Sequence, residues 1–380
     1  MLSFGITIEV RPINSQNEYK TFLVCIAIIF IGASTLHAEL SKSNTIDESK
    51  FEWFPLPAYD TDIGLGIGLK GFYLNPLGLR ESFDLTLFGS TKGERWVRFV
   101  FSIPDFELRQ GTIYDKSIDL IIDYDLMIKN SYFGVGPDSK FSDRIYYSKE
   151  PLDISLIISR GFTKTLVGQF GARYRSVNSY NIPNTDFEDE NYRGLESDKI
   201  GNLSFFVNTR YDSRDSYINP KTGFCLSAEL ENIPKISMND CNFSRIKLEL
   251  KGFYYLEVIN SVLAARFKAE WLTKENLPVQ VLLSQGGNQT IRGTPLDRFL
   301  GNAVGLENIE LRFPIYYHLG GIVALDAGRV WNSILNFNLN NWFITPVAGL
   351  RYDFDTYIIR GDIGFSRDIV CFYLNINHIF

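Results

Sequence analysis

The stretch Ile246-Lys247-Leu248-Glu249-Leu250-Lys251-Gly252-Phe253-Tyr254-Tyr255-Leu256-Glu257-Val258 decides how this chain folds. Ile246, Leu248, Leu250, Gly252, Tyr254, Leu256 and Val258 are apolar or small, while Lys247, Glu249, Lys251 and Glu257 between them are charged. A period of two sends these sets to opposite faces of a β-strand, whereas an amphipathic helix would repeat every 3.6 residues. A strand of a water-soluble sandwich runs to about 5 or 6 residues. This one is long enough to cross a bilayer at a tilt, which takes about 9 to 11.

The same alternation spreads outward in both directions. Leu263, Ala265, Phe267, Ala269 and Trp271 oppose Arg266, Lys268 and Glu270. Ile309, Leu311, Phe313 and Ile315 oppose Asn308, Glu310 and Arg312, and Ile359, Ile363 and Phe365 oppose Arg360 and Asp362. Strands are expected near 61 to 75, 81 to 90, 95 to 104, 118 to 128, 148 to 160, 164 to 177, 201 to 212, 222 to 233, 243 to 256, 262 to 272, 305 to 316, 319 to 331, 343 to 354, 357 to 366 and 370 to 380. Single-chain bacterial barrels close on an even number, so the stretch 129 to 147 is expected to supply a sixteenth strand. The fold class is therefore all-β: a transmembrane antiparallel β-barrel of 16 strands.

Composition agrees. The 380 residues are 45% hydrophobic and 14% aromatic, yet mean hydropathy is only -0.05, because lumen-facing polar residues cancel lipid-facing apolar ones. The apolar run Phe22 to Ala33 follows Arg11 and Lys20 and is too short to span a bilayer as a helix. It reads as the core of a signal peptide, 1–38, cleaved after Ala38. Residues 39–60 are then a short periplasmic segment and 61–380 the barrel, exported to the bacterial outer membrane. Cys225, Cys241 and Cys371 are too few for a disulfide framework and read as packing residues.

Connection lengths orient the barrel, since outer-membrane barrels have short periplasmic turns and long outer loops. Gly161-Phe162-Thr163, Asn219 to Thr222, Val258 to Ser261, His318-Leu319-Gly320 and Asp355-Thr356 are short. Asn178 to Lys199, Leu272 to Gly305 and Asn332 to Trp342 are long and alternate with them. In the last strand Phe372, Leu374, Ile376 and Phe380 are expected on one face, and a terminal strand ending in Phe is the form that barrel assembly machinery recognises.

The segment Gly286-Gly287-Asn288-Gln289-Thr290-Ile291-Arg292-Gly293-Thr294, with Arg298-Phe299 and Asn308 to Pro314, resembles the core of the bacterial surface antigen family. Asp212-Ser213-Arg214-Asp215, Tyr132 to Gly136, Asp326-Ala327-Gly328 and Gly349 to Tyr352 are similar to further pieces of it. That superfamily holds BamA, TamA and the two-partner secretion transporters, which insert or export proteins. The resemblance implies that Ile291, Arg292 and Gly293 form the tip of a long loop folded back into the barrel, with Arg292 bridging Asp326 and then Glu310. The chain departs from the family in having Thr294 after Arg-Gly and Ala324 before the strand aspartate, where aromatics are usual. Residues 39–60 are too few to hold a periplasmic POTRA domain. By strand parity Glu310, Asp326, Asp353 and Asp362 face the lumen, and a guanidinium there needs carboxylate partners, because a poorly solvated unpaired cation is costly.

The function expected is outer-membrane protein insertion, translocation or envelope maintenance. The second reading is a passive pore or structural surface antigen. His318 and His378 stand beside no nucleophile motif, so no enzyme is expected. No spacing suggests a metal or other cofactor, and Asp186, Glu188, Asp189 and Glu190 read as a solvated acidic loop. Expected partners are outer-membrane lipid and lipopolysaccharide, the assembly machinery, and client or periplasmic partner proteins. No nucleic acid is expected for a chain of net charge -6.

Overall fold

A computed structural model describes residues 49–183, 195–196, 198–354 and 357–380. The expected signal peptide, the acidic residues Asp186, Glu188, Asp189 and Glu190, and the turn Asp355-Thr356 lie outside these residues. The strands are β1 (Lys50–Asp60), β2 (Gly64–Leu74), β3 (Ser82–Ser90), β4 (Arg95–Ile103), β5 (Tyr114–Tyr132), β6 (Ile145–Gly161), β7 (Leu166–Tyr180), β8 (Lys199–Asp212) and β9 (Gly223–Ile233). They continue as β10 (Phe243–Leu256), β11 (Ser261–Leu272), β12 (Leu283–Gln285), β13 (Phe299–Gly301), β14 (Ala303–Tyr316), β15 (Leu319–Trp331), β16 (Phe343–Asp353), β17 (Ile358–Phe365) and β18 (Val370–Ile376). All but β12 and β13 pair antiparallel in one closed barrel of 16 strands, and those two form a separate hairpin inside the longest loop.

Alternation is visible in burial. On β15, Val323 and Leu325 are 50% and 52% exposed on the outer face, while Asp326 on the inner face is wholly buried. The fifteen stretches read as strands each overlap an observed strand. The sixteenth does not lie at 129–147, which holds the end of β5, a loop and the start of β6. It is β1, so the barrel begins at Lys50 rather than at 61, inside the segment expected to be periplasmic. Pro55 and Pro57 conceal it, because proline removes a ladder donor and argues against a strand. Here they are tolerated because of where their nitrogens point. Thr61 N donates to Phe372 O, and alternate residues of a strand face the same neighbour. Pro55 and Pro57 therefore face β18 at positions where no pairing with it forms.

The last strand also differs from expectation. Phe372, Leu374 and Ile376 alternate with the inward Tyr373, but β18 stops at Ile376. Asn377 adopts a left-handed φ of 65°, and the chain turns into the lumen. Phe380 is buried there, its ring 6.2 Å from that of Phe253 and 5.1 Å from the Arg312 guanidinium. It therefore does not share the outer face of Phe372, Leu374 and Ile376. Pro57 and Pro55, the next residues of β1 that face this seam, offer no donor there.

Candidate functional site

The loop 273–302 enters the barrel and binds its wall through Arg292. Arg292 Nε and Nη2 donate to the two carboxylate oxygens of Asp326 at 2.8 and 2.9 Å, and the backbone N of Arg292 donates to the same group at 3.0 Å. Nη1 lies 2.8 Å from Glu310 and 3.0 Å from Asp362. The fork of a guanidinium matches a carboxylate in this bidentate form, which lysine cannot reproduce. Three further arginines balance the carboxylates. Arg312 Nε donates to Glu310 at 2.8 Å, Arg351 Nη1 to Asp362 at 2.5 Å, and Arg360 Nη2 to the Asn288 carbonyl at 3.2 Å. All seven charged groups are buried.

Strand geometry explains the gathering. Glu310 and Arg312 on β14, and Arg360 and Asp362 on β17, are each two residues apart and so share the inward face. Asp353 has the same parity but does not join them. Asp326 pairs with Thr345, and eight residues of strand place Asp353 about 27 Å farther down the wall. There it accepts a hydrogen bond from Asn219 Nδ2 at 2.7 Å. Parity settles the face of a residue and leaves its height open.

The tip is fitted closely. Gly293 has φ +95°, and a Cβ on it would lie 2.7 Å from the backbone of Gly364, so both positions need glycine for the loop to touch the wall. Ile291 fills the space above Gly328, where a Cβ would stand 2.4 Å from its side chain. Gly293 N donates to Tyr373 OH at 3.0 Å, and that hydroxyl donates to Thr294 O at 3.1 Å.

The loop also grips the opposite wall. Asp297 accepts from Lys149 Nζ on β6 at 2.6 Å and from Asn130 Nδ2 on β5 at 3.0 Å. Arg298 donates to Asp368 at 3.1 Å and to Ser139, with its guanidinium between the rings of Phe133 and Phe299 at 4.8 and 4.5 Å. Asn288 donates to Asp60 at 2.7 Å, and Leu296 N donates to Asp62 at 2.6 Å. Burial, and then the neighbouring Asp60, pushes the Asp62 carboxyl up to about 7. Sequence reasoning did not single out Arg351, Arg360, Tyr373, Asp60 or Asp297. Parity with Asp353 on β16 was the available signal for Arg351, and parity with Asp362 on β17 for Arg360. The others depend on the path of the loop.

The seam is the weakest join of the barrel. β1 pairs with β2 along its whole length, from Lys50 with Leu74 to Asp60 with Gly64. With β18 its ladder is short: Tyr59 pairs with Leu374 and Asp60 with Tyr373, and just beyond them Thr61 N donates to Phe372 O. The loop holds both members of the second pair, through Asn288 on Asp60 and Gly293 on Tyr373. His318 and His378 lie at the short-turn end, and the latter's Nε2 is 3.3 Å from Asn219 Oδ1. Cys225, Cys241 and Cys371 are buried free thiols.

Among solved structures, BamA from Haemophilus ducreyi lacking POTRA domains 1-3 is similar, with TM-score 0.62 at 14% identity over 87% of this chain and 70% of that one. CdiB from Escherichia coli gives TM-score 0.62 at 14% identity, covering 86% of this chain and 62% of its own. CdiB from Acinetobacter baumannii gives 0.55 at 14% identity, covering 86% and 60%. The chain thus spans less than two thirds of either CdiB chain, and these likenesses concern the fold. No curated protein sequence matches the chain. Among the described residues, all sixteen long strands belong to the barrel and none forms a POTRA-like region. The model of the Omp85 superfamily domain matches residues 75–341, and with that match and a closed barrel of 16 strands, the chain belongs to the Omp85 superfamily.

Proposed function

We propose that this barrel takes part in inserting or translocating outer-membrane proteins, with the seam and the docked loop as its moving parts. The observation that carries this reading is that the seam pairs at two positions, one of which is clasped from within by the loop. An unpaired strand edge is a template for another strand, and Pro55 and Pro57 keep the edge from closing on β18. Releasing the loop from Arg292 would free Asp60 and Tyr373 together. A passive pore is less well supported by the same geometry, since the loop crosses the lumen from β14–β17 to β5–β6 and the segment 377–380 turns into its other end.

The test is a disulfide across the seam. Tyr59→Cys with Leu374→Cys places two thiols at directly paired positions, within the Cα separation of about 4.4 to 6.8 Å that a disulfide spans. Oxidation is expected to stall assembly or export of client proteins and reduction to restore it, with folded barrel amounts unchanged. Client handling that is the same in the oxidised and reduced forms would overturn the reading. A large, steady conductance in planar bilayers would favour the pore.

A further inference from the structure

Among the described residues, three nitrogen atoms that can only donate hydrogen bonds are buried without a partner in one patch: Nε of Arg329 and Nε1 of Trp331 and Trp342. The patch lies at the long-loop end of β15 and β16. By alternation, Arg329 and Trp331 share the outer face of the exposed Val323 and Leu325, opposite Asp326. The last paired position of the two strands is Gly328 with Phe343. Beyond it they part, and the fork holds a cavity of about 470 Å³ lined by Arg329, Trp342, Phe343, Arg367 and Asp138 among others.

Both indoles lie over Gly305 of β14, where a Cβ would come within 2.9 Å of Trp342 and 3.1 Å of Trp331. The Arg329 guanidinium is 6.0 Å from the Trp331 ring, and the two indole rings are 6.1 Å apart. Arg329 Nη1 donates to the Asn340 carbonyl. Among the described residues no carboxylate forms an ion pair with Arg329, and Arg367 stacks on Phe343 at 5.0 Å with Asp368 no closer than 4.0 Å. Two guanidiniums therefore face one lining carboxylate, Asp138, and a buried donor left without an acceptor is costly. Beside the fork, Ile334, Leu335, Phe337 and Leu339 of the loop 332–342 are exposed. That is an unfavourable series in water and a favourable one against acyl chains.

We propose that this fork binds the phosphorylated saccharide headgroup of an outer-leaflet glycolipid. Phosphate oxygens accept from Arg329 and Trp342 Nε1, a sugar face stacks on Phe343, and the acyl chains lie along Ile334 to Leu339. The proposal rests on placement of the barrel in an outer membrane with its long loops outward. It does not rest on the transport reading and is tested without any client.

The full chain is placed in phosphatidylcholine nanodiscs containing either bis-phosphorylated lipid A or its dephosphorylated counterpart, and retained lipid is counted by native mass spectrometry. The phosphorylated form is expected to be retained in preference. Arg329→Gln should lower its retention about tenfold, the worth of one charge-assisted hydrogen bond, and Arg329→Lys should restore part of it. Unchanged heat-modifiable mobility of the Gln variant shows that the barrel still folds. Equal retention of the two lipids, equal retention by wild type and Arg329→Gln, or displacement of the lipid by millimolar inorganic phosphate binding in its place would each overturn the proposal.

Discussion

The wall β14–β17 and the seam β1–β18 hold the same loop by opposite means. On the wall, Arg292 is fixed by three carboxylates and no water-exposed group takes part. At the seam a short ladder joins the strands, and the loop touches their edges through neutral side-chain and backbone hydrogen bonds at Asp60 and Tyr373. Buried, paired charges make a contact that is either held or lost, because removing one partner strands the others in a poor solvent. A short ladder with prolines facing it opens at modest cost. In the proposed function the wall acts as a latch on one side of the loop and the seam as the side that opens.

The comparison breaks most visibly at the latch. Arg292→Ala leaves Asp326, Glu310 and Asp362 short of a cation, at an expected cost of about 3–5 kcal/mol. It should appear as a lower midpoint of heat-modifiable mobility and faster proteolysis within 273–302. Arg292→Lys should recover part of this loss but not the bidentate contact. A double-mutant cycle with Asp326→Ala should show coupling of at least about 1 kcal/mol, and additive effects would mean that the two residues act separately.

Phe380→Ser comes next. If the aromatic ring acts in the folded barrel, the loss of its packing against Phe253 and Arg312 should cost about 3 kcal/mol, as for other buried aromatics. The loss should be measurable by thermal unfolding of purified protein in detergent, where no assembly machinery is present. A variant with unchanged unfolding and reduced yield in cells would make Phe380 a recognition signal alone.

Gly364→Ala tests the latch without touching a charge. The added methyl would stand 2.3 Å from Gly293 N, and overpacking of this kind costs about 1–3 kcal/mol. Hydrogen exchange at Gly293 should rise while strand amides far from the loop keep their protection. An unaffected Gly293 amide would mean that the tip docks more loosely than described.

The smallest effect is expected at the seam. Pro55→Val with Pro57→Val restores two donors facing β18 and should stabilise the join by about 0.5–1.5 kcal/mol per bond formed. Amide exchange on β18 should slow, and so should any client reaction that uses this edge. No change in β18 exchange would show that the inward turn at Asn377, and not the prolines, limits the seam.

The alternation in Ile246 to Val258 and its recurrences determined fifteen of the sixteen barrel strands and their faces, because a side-chain period of two is a local property of the backbone, and the even number of a closed barrel supplied the count. The alternation also determined that Glu310, Asp326 and Asp362 turn inward. Local pattern failed where a residue's environment came from elsewhere in the chain. β1 was missed because Pro55 and Pro57 are tolerated only at an edge, and which strand is the edge is a property of the closed barrel. Asp353 has the right parity but the wrong height, since height depends on register across several strands. Phe380 left its expected face once Asn377 turned the chain away from an edge with nothing to pair with. Only the tertiary structure brought Arg312, Arg351, Arg360 and Tyr373 to the loop tip, and it alone set the orphaned donors of Arg329, Trp331 and Trp342 side by side, because such contacts are fixed by where distant strands meet.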